Sequence, residues 1–215
     1  DRFCHGHPDW ARVGVQLVDS VLPYEEAKIR LLNAAHSGIA WAGALRGHRF
    51  IHEAARDAAI RRVVHDYATD DAIPCLQPSP VDLAAYRDTV LDRFGNAALQ
   101  DTVQRVVMDS FAKLPGFIVP TIRERLARGE SIASVAMLPA LMLAFLGRWH
   151  RGELPFAYQD SAMDPARAQA IFAAADVVQA FCREPGLWGP LAGAPALEAA
   201  LRLAVQRVEG LVGVA

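Results

Sequence analysis

An all-α fold is the prediction of this 215-residue sequence, and three observations carry it. From Pro23 onward apolar residues recur three and four apart, the spacing of a helix face. Residues that start and stop helices punctuate the pattern, Asp82 and Asp164-Pro165 among the starts, Gly95 and Gly129 among the stops. Only residues 13–18 show the two-residue alternation of a strand. Hydrophobic residues make up 53% and charged residues 21%, a balance that folds. A chain of this length fits one domain and buries roughly 70% of its unfolded surface.

Val13, Val15 and Leu17 alternate with Gly14, Gln16 and Val18, which predicts one strand. A lone strand cannot satisfy its own backbone groups, so it requires a sheet that the rest of this chain does not supply. A helix follows over 24–46, with Gly43 permitting close approach and Gly47 a stop. A second covers 51–67. Pro74, Pro78 and Pro80 bracket a loop. Asp82 then caps a helix whose stripe is Leu83, Tyr86, Val90, Leu91 and Phe94, and Gly95 ends it. The next presents Leu99, Val103, Val106 and Val107 and is expected to fail at Leu114-Pro115-Gly116. Pro120 suits the first turn of a short helix that Gly129 closes. The uncharged run 131–147 falls just short of a membrane span and contains Pro139, so it reads as a core helix. After a loop over 152–163, Asp164-Pro165 starts a helix that Pro185-Gly186 stops. A last helix presents Leu197, Leu201, Ala204, Val208 and Leu211 on one face.

The formal charge of −2 leaves no basic footprint for nucleic acid, and the arginines are mixed with acids or spread along helices. Three cysteines, Cys4, Cys75 and Cys182, are widely spaced with no CxxC, the pattern of reduced thiols in the cytoplasm. The opening residues do not read as a secretory leader. No GxSxG, P-loop or GxGxxG occurs. His5 and His7 lack a third metal ligand and read as a flexible terminus, and His48 with His52 lacks the glutamate of a zinc protease motif and reads as surface or capping residues. Trp41 and Trp149 read as core.

The run from Tyr24 to His36 carries the chemistry. Its surroundings are so apolar that the helix is expected to be almost wholly buried. On a wheel of about 100° per residue with Lys28 at zero, Leu31, Leu32, Ala35, Ile39 and Ala42 cluster within about 60°. His36 falls near 80° and Asn33 near 140° on that count. A buried lysine shifts toward its neutral form and can act as a base, while an amide and an imidazole donate to an oxygen that gains charge. The bland alternative is a lysine that reaches an edge and a satisfied core histidine.

Lysine, four residues, asparagine, two residues, histidine is a pattern met at Lys28, Asn33 and His36. Here the sequence resembles the polyol-specific long-chain dehydrogenases, the mannitol dehydrogenase family. The resemblance extends over nearly the whole chain, including Val13-Gly14-Val15-Gln16, Asp92-Arg93-Phe94-Gly95-Asn96 and Lys113-Leu114-Pro115. It implies oxidation of a secondary alcohol of a sugar alcohol to a ketose, without a metal and with hydride passed to NAD. The expected substrate is D-arabinitol, oxidised to D-xylulose, with D-mannitol or a hexuronate as alternatives. By match to the family motif, Lys28 is the general base, Asn33 polarises the oxyanion and His36 orients substrate hydroxyls. Glu25 falls where the family has a glutamate that relays the proton to solvent. Arg105 and Lys113 correspond to residues that hold the polyol chain. Ser110 stands where the family usually has glycine.

The resemblance further implies a fold of the 6-phosphogluconate dehydrogenase C-terminal-like type with one orphan strand. Residues 1–22 would end a dinucleotide-binding domain that this chain lacks, and 23–215 would form the helical substrate and catalytic domain. The expected partners are a polyol or ketose and that missing domain, with no nucleic acid and no membrane. The 215 residues alone are expected to be inactive. A reading from another class is a helical interaction module of enzymatic ancestry with no catalysis.

Overall fold

The computed structural model describes residues 4–213; residues 1–3 and 214–215, at the outer ends of the two expected segments, lie outside the described residues. The described chain is helical. Its one piece of β pairing is an isolated antiparallel bridge between Phe50 and Thr102. The expected strand at 13–18 is not formed: a short 3-10 turn, Trp10–Val13, ends at Gly14 with φ 84°, and irregular backbone follows. No neighbouring strand is present to pair with it, so its alternation has no sheet to serve. Val13, Val15, Leu17 (57%), Val21 and Leu22 (61%) stay exposed.

The first long helix runs unbroken through three segments, Leu22–Ala27, Lys28–Asn33 and Ala34–Leu45. From Ala34 to Leu45 every residue is buried except His36, which is half-buried. Alanines and glycines explain how so much backbone is enclosed: small side chains let neighbours approach. A Cβ on Gly38 would sit 2.6 Å from Leu138 Cδ2, and one on Gly43 would sit 2.9 Å from Ala54 Cβ. The apolar helix Met137–His150 packs along this central helix on one side, and Val103–Val107 and Ile51–Arg56 pack on others. The final helix Pro195–Val212 lies outside Met137–His150 and buries Leu197, Leu201, Ala204 and Val208 against it. No described helix is long and apolar enough to cross a membrane. Cys4 is exposed, and Cys75 and Cys182 are buried free thiols.

Several boundaries differ from expectation. The helix expected over 51–67 breaks at Asp57, whose ψ of 117° leaves the helical region and whose Oδ1 accepts from the Ala59 and Ile60 amides. It then continues past Tyr67 to Cys75, carrying Pro74 inside it. Leu114-Pro115-Gly116 is not a stop: those residues open a wide turn, Leu114–Ile118, that leads into Val119–Ala127. Pro185-Gly186 begins a short helix, Pro185–Trp188, rather than ending one, because Pro185 occupies a first-turn position that needs no N–H. The caps at Asp82, Asp164 and Gly95 fall where the sequence put them.

Lys28–Asn33, Tyr67–Ala72 and Leu114–Ile118 are π-helical turns, with the wide i→i+5 bonding that concentrates at functional sites. The first packs against both of the others. The buried Tyr67 hydroxyl donates to the Arg30 carbonyl at 2.8 Å, giving a polar group inside the wide turn a partner.

Candidate functional site

The wide turn corrects the wheel. In a regular helix Asn33 stands about 140° from Lys28, whereas i→i+5 bonding carries residues five apart toward one face. The family spacing of lysine and asparagine therefore suits this backbone. Burial is the second correction. Leu31, Ala35, Ile39 and Ala42 are enclosed, but Lys28 is exposed and Glu25, one turn earlier, is exposed too. Ala27 in the same turn is buried and Arg30 pairs with Glu124 at 2.7 Å, so this turn is covered on one side while Lys28 stands on its open side.

Two hollows open along this helix. One, of about 520 Å³, is lined by Lys28 with Gln16, Tyr24, Ala27, Asp82 and Tyr86 among others. The second, of about 490 Å³, is lined by His36, His52, Phe94, Gln100, Asp101 and Arg105 among others. Asn33 is half-buried between Lys28 and His36 in the chain and lines neither hollow; its carbonyl accepts from Ser37 Oγ at 2.9 Å. The structure thus brings His36 and Arg105 together, with Lys113 close enough to act on His36, and places Lys28 in the neighbouring opening, whereas Glu25 is exposed and does not line it.

His36 is stacked on Phe94 with ring centroids 4.5 Å apart. Burial lowers its pKa to about 4, Asp101 opposing that shift while Arg105 and Lys113 add to it. The imidazole is therefore neutral near pH 7 and able to donate or accept. Its Nε2 is buried without a hydrogen bond. Asp101 Oδ2 lies 3.5 Å away, too long and poorly aligned to satisfy it. Asp101 instead takes Arg105 in a two-pronged pair, accepting from Nε at 2.6 Å and Nη2 at 2.5 Å.

Lys113 is half-buried and donates from Nζ to the Val106 carbonyl. Burial lowers its pKa, Asp109 opposing. The segment before it is braced by side chains. Asp109 adopts φ 55° and accepts from both the Ser161 amide and hydroxyl at 2.9 Å. Asp160 accepts from the Phe111 amide at 2.8 Å. Ser110 is fully buried: it accepts from Trp41 Nε1 at 2.8 Å and donates to the Val107 carbonyl at 2.6 Å. That serine ties the Lys113 segment to the central helix.

Asp101, His52 and Phe94 line the cleft although sequence reasoning singled out none of them as a site residue. Asp101 carried a readable signal, an acid four residues before Arg105. His52 was read as a surface or capping residue, and its half-buried place in the cleft follows from the helix at Ile51–Arg56 packing beside the central helix.

Comparison with known proteins gives concordant matches. The family described as mannitol dehydrogenase C-terminal domain matches residues 20–209. A D-arabinitol 4-dehydrogenase of Ralstonia nicotianae is 56% identical over 209 residues, 97% of this chain and 45% of that protein. A D-arabinitol 4-dehydrogenase of Klebsiella pneumoniae is 46% identical over 212 residues, 99% of this chain and 47% of that protein. Among solved structures, Pseudomonas fluorescens mannitol 2-dehydrogenase, in ternary complex with NAD and D-mannitol, gives a TM-score of 0.84 at 31% identity over 99% of this chain and 44% of that one. The chain therefore spans about half the length of the curated relatives it matches.

Proposed function

Because the chain belongs to the mannitol dehydrogenase family through its C-terminal domain, we propose that it is the substrate-binding and catalytic half of an NAD-dependent polyol dehydrogenase, with D-arabinitol as substrate and D-xylulose as product. The observation that carries the reading is His36: a neutral imidazole that lines a cleft with Arg105 and whose buried Nε2 makes no hydrogen bond. Such an atom has a use when a substrate hydroxyl arrives.

In this reading Lys28 takes the proton from the secondary hydroxyl being oxidised. Asn33 donates to the oxygen as its charge develops, and His36 orients the hydroxyls through Nε2. Glu25, exposed beside Lys28, passes the proton to solvent. Arg105 and Lys113 hold the polyol chain. NAD, when bound, accepts the hydride. Among the described residues there is neither a sheet nor a glycine-rich strand-to-helix turn, so these residues form no dinucleotide cradle. We assign the cofactor to a dinucleotide-binding domain that packs on the exposed apolar strip from Val13 to Leu22. The relatives are longer chains that leave room for such a domain. A cytoplasmic location fits the reduced thiols.

The test is a substrate panel on the two-domain protein with NAD and with NADP. D-arabinitol oxidation with NAD is the expected result. Strong turnover of a hexuronate with no polyol oxidised would overturn the reading. The isolated chain should form no NADH.

A further inference from the structure

Asp101 is held more firmly than the arginine it binds. Gln100 enters the left-handed region at φ 46°, and the chain then pairs Thr102 with Phe50. The Ile51 amide donates to the Asp101 carbonyl at 2.8 Å. These contacts fix the backbone on both sides of Asp101, whose carboxylate lines the cleft. The Asp101 side chain is 18% exposed and that of Arg105 is 69% exposed. So the acid is the anchored partner and the guanidinium is the more exposed one.

A two-pronged carboxylate–guanidinium pair is the arrangement by which arginine recognises any carboxylate. In this cleft that edge of Arg105 is already occupied, by a group of the protein itself. Lys113, which acts on His36 from beyond the lining of the cleft, directs an N–H to the Val106 carbonyl. The charges acting on it are Asp109, Arg105, Asp160 and Asp101. Of the charged side chains that line the cleft, Asp101 and Arg105 are joined to each other and Arg93 is exposed; the charges that reach His36 are Asp101, Arg105 and Lys113. A substrate carboxylate entering beside His36 would meet Asp101 and find the forked edge of Arg105 already taken, whereas a neutral polyol would meet donors and acceptors.

We propose that Asp101 determines specificity: by closing Arg105 in an ion pair it restricts the site to uncharged polyols and excludes sugar acids. The inference rests on the polyol dehydrogenase reading and names a determinant within it. D-Gluconate, an acid with the same run of secondary alcohols, is the probe. kcat/KM for D-arabinitol and for D-gluconate is measured in the two-domain protein, and gluconate binding is followed by calorimetry. Asp101→Asn should shift the polyol-to-acid ratio toward the acid by about 10- to 100-fold, the weight of one charged hydrogen-bonded pair. Gluconate affinity should rise in parallel. Asp101→Glu should keep the wild-type preference, and adding Arg105→Gln to Asp101→Asn should abolish the gain. Asp101→Ser gives the same test should the asparagine variant not fold.

An Asp101→Asn protein that loses both substrates equally, or a gain that survives Arg105→Gln, overturns the proposal while wild-type polyol oxidation stands. A wild-type protein that oxidises no polyol overturns the dehydrogenase reading and this proposal with it.

Discussion

The two ends of the motif helix differ in what surrounds them. At His36 the chain provides a complete setting: an aromatic platform in Phe94, a fixed carboxylate in Asp101, cations at Arg105 and Lys113, and enough burial to keep the imidazole neutral. At Lys28, eight residues earlier, the side chain is exposed and its hollow is bordered by irregular backbone at Gln16. In the proposed reading, the end that would orient substrate is built by this chain alone. The end that would abstract the proton is open, beside the same apolar strip that a second domain would cover. A lysine base and a histidine that binds hydroxyls need opposite things from their own chain. The histidine must be rigid before substrate arrives, whereas the lysine needs dry surroundings only once the site has closed.

The largest effect that can break this contrast is catalytic. Lys28→Ala in the two-domain protein should lower kcat by about 10²- to 10⁴-fold, the weight of a general base. The circular dichroism and melting of the variant should match wild type, because an exposed side chain is removed. Retention of full activity would leave the interaction-module reading standing.

Next come changes in the enclosed region. Gly38→Val would place a branched side chain against Leu138, where even a Cβ would sit at 2.6 Å, and should cost about 1–3 kcal/mol by overpacking. Gly116→Ala is the control: nothing lies within 4 Å of its Cβ position, and stability should hold or rise slightly in urea titrations. Of similar size, Ser110→Gly leaves the buried Trp41 N–H without its acceptor. A loss of about 1–3 kcal/mol is expected. A variant as stable as wild type would show that the serine is not the tie between the Lys113 segment and the central helix.

The smallest effect is in the pH dependence of stability. The pKa of His36 is lowered from its ordinary value of 6.5 to about 4 in the folded chain. Above pH 6.5 the imidazole is neutral in both folded and unfolded states. As pH falls from about 6.5 to about 4 the unfolded chain takes up a proton that the folded chain refuses, so stability falls across that window and levels off below it. Subtracting the profile of His36→Asn should reveal a slope of about one proton there. Identical slopes for the two proteins would mean that His36 is more open to water than the structure shows.

Much of this was legible in the sequence, for identifiable reasons. Helix starts at Asp82 and Asp164 depend on short side chains that bond amides two or three residues on, a local rule readable in a single window. The central helix was legible because small and apolar residues leave no polar face. The strand at 13–18 failed because alternation reports only a surface with two faces, and whether it becomes a strand depends on a neighbour. Lys28 was misjudged because a wheel places residues around an axis and says nothing of how far the covering elements reach along it. The wide turns escaped notice since no residue type demands i→i+5 bonding; Tyr67, far away in sequence, supports one of them. Asp101 was missed because its value lies in three contacts from three elements.

The distribution of sulfur has a practical consequence. Cys4 is exposed and sits just before the apolar strip, while Cys75 and Cys182 are buried, with burial raising the pKa of both. A maleimide dye applied at neutral pH should therefore label one position without any engineering. Fluorescence from that dye would report directly when another polypeptide seats itself against Leu17 and Leu22.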